Sequence, residues 1–383
     1  MKKKEWRCLA WQSVGLLLLS FALCVFFSGN MPGSTTIKIY AGKHEDTQKK
    51  DDMTEERQQN AIRMSKEEII KKGDCYIRIA KKNEEAAAVY LKNEYVNAKI
   101  TLTFLGIAKD AVSEADIYWN SDEEIETENI SLQDKQNFVK KLCIKNRRDS
   151  LHYPDNAIEI ELTMKKIYES VLYEAEDAYY ISLTDPRKVY DKIVVLDPGH
   201  GGMDEGTSAH NMKYLEKNYS LQVAKLLEKK FADSGIKVFF TRSQDEWVGK
   251  KTRVRLANRL KADAFVSIHC NSSSVGDTTA YGMETLYYNK KEKTAKMENS
   301  YLADCLLQAL GETTGRRKRG NLVRNDLFIL HHAKVPAAII EIGYMSNKED
   351  LSYLNSKTGR QRIADGIYEG ICTALVENTQ DFW

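Results

Sequence analysis

Two histidines and two glutamates in the C-terminal half of this 383-residue chain have the types and placement for metal-assisted acid–base chemistry. His200 stands at the tip of Lys192-Ile-Val-Val-Leu-Asp-Pro-Gly-His-Gly-Gly202, an apolar run ending in a turn with three glycines in four residues. Such a turn lets backbone approach a ligand closely and aims the imidazole outward from the strand's end. His269 closes the run Ala-Phe-Val-Ser-Ile-His, and Glu341 closes Pro-Ala-Ala-Ile-Ile-Glu. Glu216 follows His200 by 16 residues, where a loop passes back over the turn before a helix begins. Two histidines and a carboxylate form a common three-ligand set for catalytic zinc, which keeps one position for water. Asp204 and Glu205 are the alternative carboxylates, but they lie in the glycine turn and are harder to aim back at His200.

The elements that must position these groups follow from hydrophobic period. From Val189 onward the pattern alternates strand and helix. Strands are expected at Ile193–Leu196, Ile236–Thr241, Ala264–His269, Gly282–Tyr288 and Ala337–Ile342, with a further short one at Leu327–His331. Helices are expected around Val223, Leu226, Leu227 and Phe231 (stopped by Gly235), around Val254, Leu256, Ala257 and Leu260, and over Leu302–Leu310 and Ile363–Leu375. Helices between consecutive buried strands predict an α/β fold, a mixed, largely parallel sheet flanked by helices. In such sheets ligands collect at the strands' carboxyl ends, where His200, His269 and Glu341 fall.

Residues 75–188 keep a different rhythm. Ile77 and Ile79, then Ile100, Leu102 and Phe104, then Ile158, Ile160 and Leu162 alternate with polar residues, and Tyr179, Ile181 and Leu183 repeat the pattern. That is the period of half-buried strands and predicts a small β-rich accessory domain without a catalytic constellation. Residues 29–74 are polar and read as a linker, ending in Ser65-Lys-Glu-Glu68, which has capping-box spacing before Ile69 and Ile70, with Lys71, Lys72 and Gly73 as a stop. The catalytic domain is thus expected at 189–383.

The address is set by residues 1–28. Lys2, Lys3, Lys4 and Arg7 precede the apolar stretch Leu9–Phe27, which at roughly 1.5 Å per residue spans a bilayer core of about 30 Å. The basic flank predicts a cytoplasmic tip, a single-pass transmembrane signal-anchor and an extracytoplasmic remainder. The rival is secretion after signal cleavage, but Ser28-Gly-Asn-Met-Pro offers no small-x-small cleavage site. The net charge of +2 falls to about −1 without the charged residues of the leader, which leaves no electrostatic footprint for nucleic acid. Five of the seven cysteines lie beyond the leader, an odd number; a Cys75–Cys143 bridge is one option, and free, buried thiols are the expectation.

Four motifs in order carry a family resemblance: Asp197-Pro-Gly-His-Gly-Gly-Met-Asp-Glu-Gly206, Glu216-Lys217, Ser267-Ile-His-Cys-Asn271 and Glu341-Ile-Gly-Tyr-Met-Ser-Asn347. Over about residues 190–378 the chain resembles the zinc-dependent N-acetylmuramoyl-L-alanine amidases of bacterial cell walls. The resemblance implies His200, Glu216 and His269 as ligands of one Zn²⁺ ion and Glu341 as the catalytic carboxylate. It also implies peptidoglycan as substrate, cut between N-acetylmuramic acid and L-alanine. Asn271 and Asn347 are candidates for substrate binding or for orienting the site. Cys270 departs from the small apolar residue usual beside the second ligand, and strand alternation predicts that it packs behind the sheet. The segment Tyr288–Leu302 is too short for the inserted helix that covers the cleft in some such amidases, so self-inhibition by an insert is not expected; whether a protein regulator acts is open. Arg316, Arg317, Lys318 and Arg319 read as a solvated loop, with contact to anionic wall polymer or peptide carboxylates as the alternative. A dinucleotide site is excluded because Gly199-His-Gly201 lacks the third glycine of the phosphate fingerprint, and a Cys270 hydrolase because His269 and Cys270 point apart. The reading kept beside hydrolysis is a membrane-tethered, non-catalytic peptidoglycan-binding module.

Overall fold

The computed structural model describes residues 59–377 apart from 71–74, 82–85, 108–111, 114–116, 122–137, 148–156, 210–211, 275–276 and 290–296. The expected signal-anchor, residues 1–28, and most of the expected linker lie outside the described residues. Among the described residues no helix is long and apolar enough to cross a membrane.

The alternating region builds two sheets. Strands β1 (Gln59–Asn60), β2 (Ile62–Arg63), β3 (Cys75–Ala80), β4 (Ala88–Glu94), β5 (Lys99–Leu105), β6 (Ile117–Ser121), β7 (Val139–Arg147), β8 (Ala157–Met164), β9 (Glu169–Glu174) and β10 (Ala178–Thr184) are ordered β1-β4-β5-β8-β7 and β2-β9-β10-β3-β6. Ile77, Ile79, Ile100, Leu102, Phe104, Ile158, Ile160, Leu162, Ile181 and Leu183 all enter one core, as the period of two predicts. The strands begin earlier than the alternation indicates. β1 and β2 lie in the stretch expected as a solvated linker, yet they pair with β4 and β9, since a sheet edge accepts even two residues of extended backbone. Helix α1 (Lys66–Ile70) opens on the expected capping box: the Glu68 N–H donates to Ser65 Oγ (3.3 Å) and the Ser65 N–H to Glu68 Oε2 (3.2 Å).

Helix α2 (Pro186–Val189), capped by Asp185, leads into the second layer. There follow β11 (Ile193–Pro198), β12 (Ser208–Ala209), β13 (Tyr214–Leu215), α3 (Glu216–Phe231), β14 (Lys237–Phe240), α4 (Lys250–Leu260), β15 (Ala264–Asn271), β16 (Met283–Tyr287), α5 (Asn299–Thr314), β17 (Lys318–Val323), α6 (Phe328–His332), β18 (Ala337–Tyr344), α7 (Lys348–Asn355) and α8 (Lys357–Glu377). The six-stranded sheet runs β14-β11-β15-β18-β16-β17, parallel at every pairing except β16 with β18. This is the expected mixed, largely parallel sheet.

Alternation along the central strands divides their apolar side chains between two cores. Val194, Leu196, Val266, Ile268 and Ile340 pack with Val223 and Leu227 of α3, Leu306 of α5 and Ile367 of α8. Ile193, Val195, Phe265 and Ile339 face the other way and join the cluster that fills the two smaller sheets. One apolar cluster therefore runs from β5 to β11. At the junction Tyr95 meets Phe239 edge to face (4.9 Å), and Lys237 Nζ reaches Glu169 (3.1 Å), whose other oxygen accepts from the Tyr95 hydroxyl (2.9 Å).

Two expected elements differ. Leu327–His331 is not a strand but the helical turn α6, with Ile329 and Leu330 buried; an apolar run this short carries no period that separates strand from helix. The basic cluster is not a loop, because Lys318 and Arg319 open β17 on the sheet's edge, where cations discourage pairing with another chain. None of the five described cysteines is in a disulfide, so Cys75 and Cys143 form no bridge; Cys270 and Cys305 are buried, and the other three only half-buried.

Because one apolar cluster joins the layers, Phe239→Ala should cost about 3–5 kcal/mol of stability. Scanning calorimetry of the unaltered protein should show the β-rich region and the α/β layer melting in one transition. Two resolved transitions would contradict the shared core.

Candidate metal centre and active site

Asp197, at the end of β11, is fully buried, and both of its carboxylate oxygens accept hydrogen bonds. Its Oδ1 accepts from Thr241 Oγ1 (2.5 Å) and Arg253 Nη1 (2.6 Å), and its Oδ2 from Ser267 Oγ (2.6 Å). Burial alone would raise this carboxyl, but Arg253 and the two hydroxyls outweigh it and hold it below the usual range. Arg253 Nη1 also donates to the Pro198 carbonyl and its Nη2 to the His200 carbonyl (both 2.7 Å). Arg242, buried beside it, donates to the carbonyls of Pro198 (2.9 Å), Gly199 (2.8 Å) and Lys217 (2.8 Å). Two guanidinium groups thus hold the backbone of the glycine turn.

Within that grip His200 adopts φ +61°, a conformation uncommon outside glycine and characteristic of functional turns, followed by Gly201 at +129° and Gly202 at +59°. Asp204 Oδ1 lies 2.7 Å from His200 Nδ1, which leaves Nε2 to the site. The glycine turn therefore does aim Asp204 back at His200, contrary to expectation, because the Gly201–Asp204 bridge folds the turn on itself. The role it takes is to orient the imidazole.

Glu216 is the first residue of α3, where the helix dipole favours a carboxylate. Its Oε1 lies 3.2 Å from His200 Nε2 and 2.8 Å from His269 Nδ1, and accepts from the Cys270 N–H (3.0 Å); its Oε2 accepts from the Thr207 N–H (2.8 Å). Ligand atoms of His200, Glu216 and His269 all lie within 4.8 Å of one another, close enough to hold a metal ion. The surroundings are cut to this arrangement: a Cβ on Gly199 would enter the His269 ring, and one on Gly206 would lie 2.5 Å from Glu216 Oε2 and 2.7 Å from His200 Cδ2. Cys270 packs into the core behind the sheet, as alternation predicts.

Glu341 pairs in register with His269 on the neighbouring strand. Its Oε2 is buried with no hydrogen-bond partner among the described residues, an expensive state that needs a reason. Burial, partly offset by His269 and reinforced by Glu216 and Glu284, pushes its carboxyl up to about 7. Glu216 goes the other way: burial opposes ionisation, but hydrogen bonds from His200 and His269 hold it far below the usual carboxylate range. Burial alone would lower His269, yet its bond to Glu216 lifts the ring to about 8. Two carboxylates with separated proton affinities are the arrangement acid–base chemistry requires.

The asparagines sit differently. Asn271 Nδ2 donates to Glu284 Oε1 (2.6 Å), on the face that carries His269. Asn347 caps α7, accepting from the N–H groups of Glu349 and Asp350, and its Nδ2 donates to the Thr278 carbonyl. Residue-type reasoning missed Arg242, Arg253 and Glu284. Their signal was faint, arginines just after a strand and within a helix whose apolar stripe would bury them. Beside Glu216 an open groove of about 550 Å³ is lined by Thr207, Ser208, Ser272, Ser273, Ser274 and Ser346, a hydroxyl-rich surface suited to a polar ligand.

A family model described as N-acetylmuramoyl-L-alanine amidase matches residues 194–373. Residues 194–373 belong to that amidase family. The amidase-family domain is 35% identical over 181 residues to a Staphylococcus epidermidis protein named "Probable cell wall amidase LytH". It is 36% identical over 186 residues to its Staphylococcus aureus namesake. In each case the match covers 47% of this chain, and the chain spans only 57% of the relative's length. Among solved structures, the catalytic domain of CwlV, an N-acetylmuramoyl-L-alanine amidase from Bacillus (Paenibacillus) polymyxa var. colistinus, is 33% identical with a TM-score of 0.44, covering 48% of this chain and 98% of that one.

Asp204→Ala should free the His200 ring and weaken metal binding about 10- to 100-fold, read by competition with a chromogenic chelator. Glu341 binds its proton more tightly folded than unfolded, so the stability this gives is present below about pH 4.5 and lost as pH rises through about 7. Glu341→Gln, neutral throughout, should therefore stabilise the metal-free protein by about 1–3 kcal/mol at pH 8 and by nothing near pH 4. Melting curves at both pH values check this, and an equal gain at both would sink it.

Proposed function

We propose that this protein hydrolyses the amide between N-acetylmuramic acid and L-alanine in bacterial peptidoglycan, with one zinc ion at His200, Glu216 and His269 and Glu341 as the proton carrier. The observation that carries the reading is the convergence of those three ligand atoms beside a buried carboxylate oxygen that nothing else in the described residues satisfies. Membership of residues 194–373 in the amidase family supports the substrate. Two imidazoles and a carboxylate are a donor set that suits zinc and leaves a coordination position open. Zinc, when bound, supplies a Lewis acid that polarises the scissile carbonyl and makes a neighbouring water more acidic.

The residues' own parts follow from their surroundings. Asp204 fixes the His200 ring, and the Cys270 and Thr207 N–H groups fix Glu216, so the donors are in place before a ligand arrives. Glu341, raised to about 7, is poised to take a proton from the attacking water and return it to the departing amine of L-alanine. General acid–base help of this kind contributes about 10²- to 10⁴-fold. The apolar stretch Leu9–Phe27 would hold the chain in the cell membrane with the amidase-family domain outside, facing the wall.

Incubating the full chain with purified peptidoglycan, with and without chelator, should release new L-alanine amino termini only when zinc is available. His269→Ala should lose bound zinc and activity together. Glu341→Gln should keep its zinc and lose about 10²-fold or more in turnover. Loss of metal from both variants alike would show that Glu341 is misassigned, and fragments ending elsewhere by mass spectrometry would refute the cleavage site.

A further inference from the structure

The basic cluster of the sequence separates into residues with different work. Arg316 is taken up by the buried carboxylate of Asp350 and lies over Tyr353, a structural pairing. Lys318 Nζ donates to Gln308. Arg319 instead stands at the end of a lateral row of polar groups. His269 is in register with Glu341, Glu341 with Glu284, and Glu284 with Gly320, the residue after Arg319. At about 4.8 Å per strand, the backbone beside Arg319 lies about 10 Å from that of Glu341.

Arg319 is braced on three sides. Its Nε donates to Glu284 Oε2 (2.9 Å), its Nη1 to the Tyr281 carbonyl (3.3 Å), and its guanidinium lies 4.8 Å over the Tyr344 ring. Glu284 is itself held, through its other oxygen, by Asn271 of the site face. The Arg319 side chain remains 29% exposed, and among the described residues its Nη2 makes no hydrogen bond. A half-exposed ion pair adds little stability, so so much bracing of one guanidinium has small structural return. What it does provide is a planar fork already in one orientation, which lowers the entropy lost on gripping a carboxylate.

We propose that Arg319 is a specificity-determining residue that binds a carboxylate of the substrate's peptide stem, about three residues from the amide that is cut. This rests on the amidase reading of the site. The spacing is set by the chain: an extended peptide covers about 10 Å in three residues, the separation between the strands of Glu341 and Arg319. Glu284 is the positioning residue that aims Arg319, and Tyr344 the surface that keeps its plane.

The test uses the zinc-loaded full chain and two synthetic muramoyl peptides of one sequence, the first with free carboxylates and the second with all of them converted to carboxamides. The unaltered protein should cut the carboxylate stem with the lower KM. Arg319→Gln should raise KM for that stem about 10- to 100-fold, leave kcat within about threefold, and leave kcat/KM for the carboxamide stem unchanged. Arg319→Lys, which keeps the charge beside Glu284 but not the fork, carries the same comparison should the glutamine variant fail to fold. Equal weakening toward both stems, or toward neither, overturns the proposal. So does a defect confined to whole walls bearing phosphate polymer, which would mark Arg319 as a phosphate site. If the unaltered protein cuts both stems equally well, the amidase reading stands and this assignment falls; if it cuts neither stem nor walls, both fall.

Discussion

The buried pair of Asp197 and Arg253 is the constraint on which the site depends. A carboxylate with no solvent exposure is tolerable at the end of a central strand only when its charge is paired and both oxygens are hydrogen-bonded, here by one guanidinium and two hydroxyls from β15 and the end of β14. The consequence reaches beyond the pair. Beyond Pro198 the strand's carbonyls run out of ladder partners, and the spare N–H groups of Arg253 and Arg242 take over that role at Pro198, Gly199 and His200. The left-handed backbone of His200 is held by this grip, and the imidazole direction follows from it.

The site forms where the two faces of the sheet meet. His269 and Glu341 rise from the face shared with the smaller sheets' core, whereas Glu216 arrives from α3 on the opposite face and reaches over the strand ends. That geometry gives the two glutamates different lives. Glu216 sits at a helix N-terminus among four donors and is held ionised; Glu341 is enclosed with an oxygen unsatisfied and favours its proton. Identical side chains are thereby given opposite proton affinities by environment alone.

The β-rich layers share their core with the six-stranded sheet, and Tyr95, Glu169 and Lys237 tie the junction with charge and aromatic contact. A module joined through a continuous apolar cluster moves with its neighbour, unlike one hung on a flexible linker. The edge of the six-stranded sheet is treated differently: Arg317, just before β17, lies over Tyr281, and Arg319 of β17 is braced by Tyr344 and Glu284.

Sequence by itself determined the architecture and most of the candidate site. Strand and helix periods are local consequences of which face is buried, so β11, β15 and β18, the helices between them and the alternating strands before residue 185 were legible, and His200, His269 and Glu341 followed as polar residues closing apolar runs. Periods fail where elements are too short to have one, as at α6, β1 and β2, and at the exposed edge strand β17, whose Lys318–Val323 sequence has no buried face to set an alternation. Which carboxylate faces which imidazole was decided only by tertiary structure. Asp204 turns back on His200 through a bridge within the turn, Glu216 is aimed by N–H groups from Thr207 and Cys270, and Arg242, Arg253 and Glu284 act across strands distant in sequence. Hydrogen-bond partners separated by tens of residues leave no periodic trace along a chain; they exist only once the strands lie side by side.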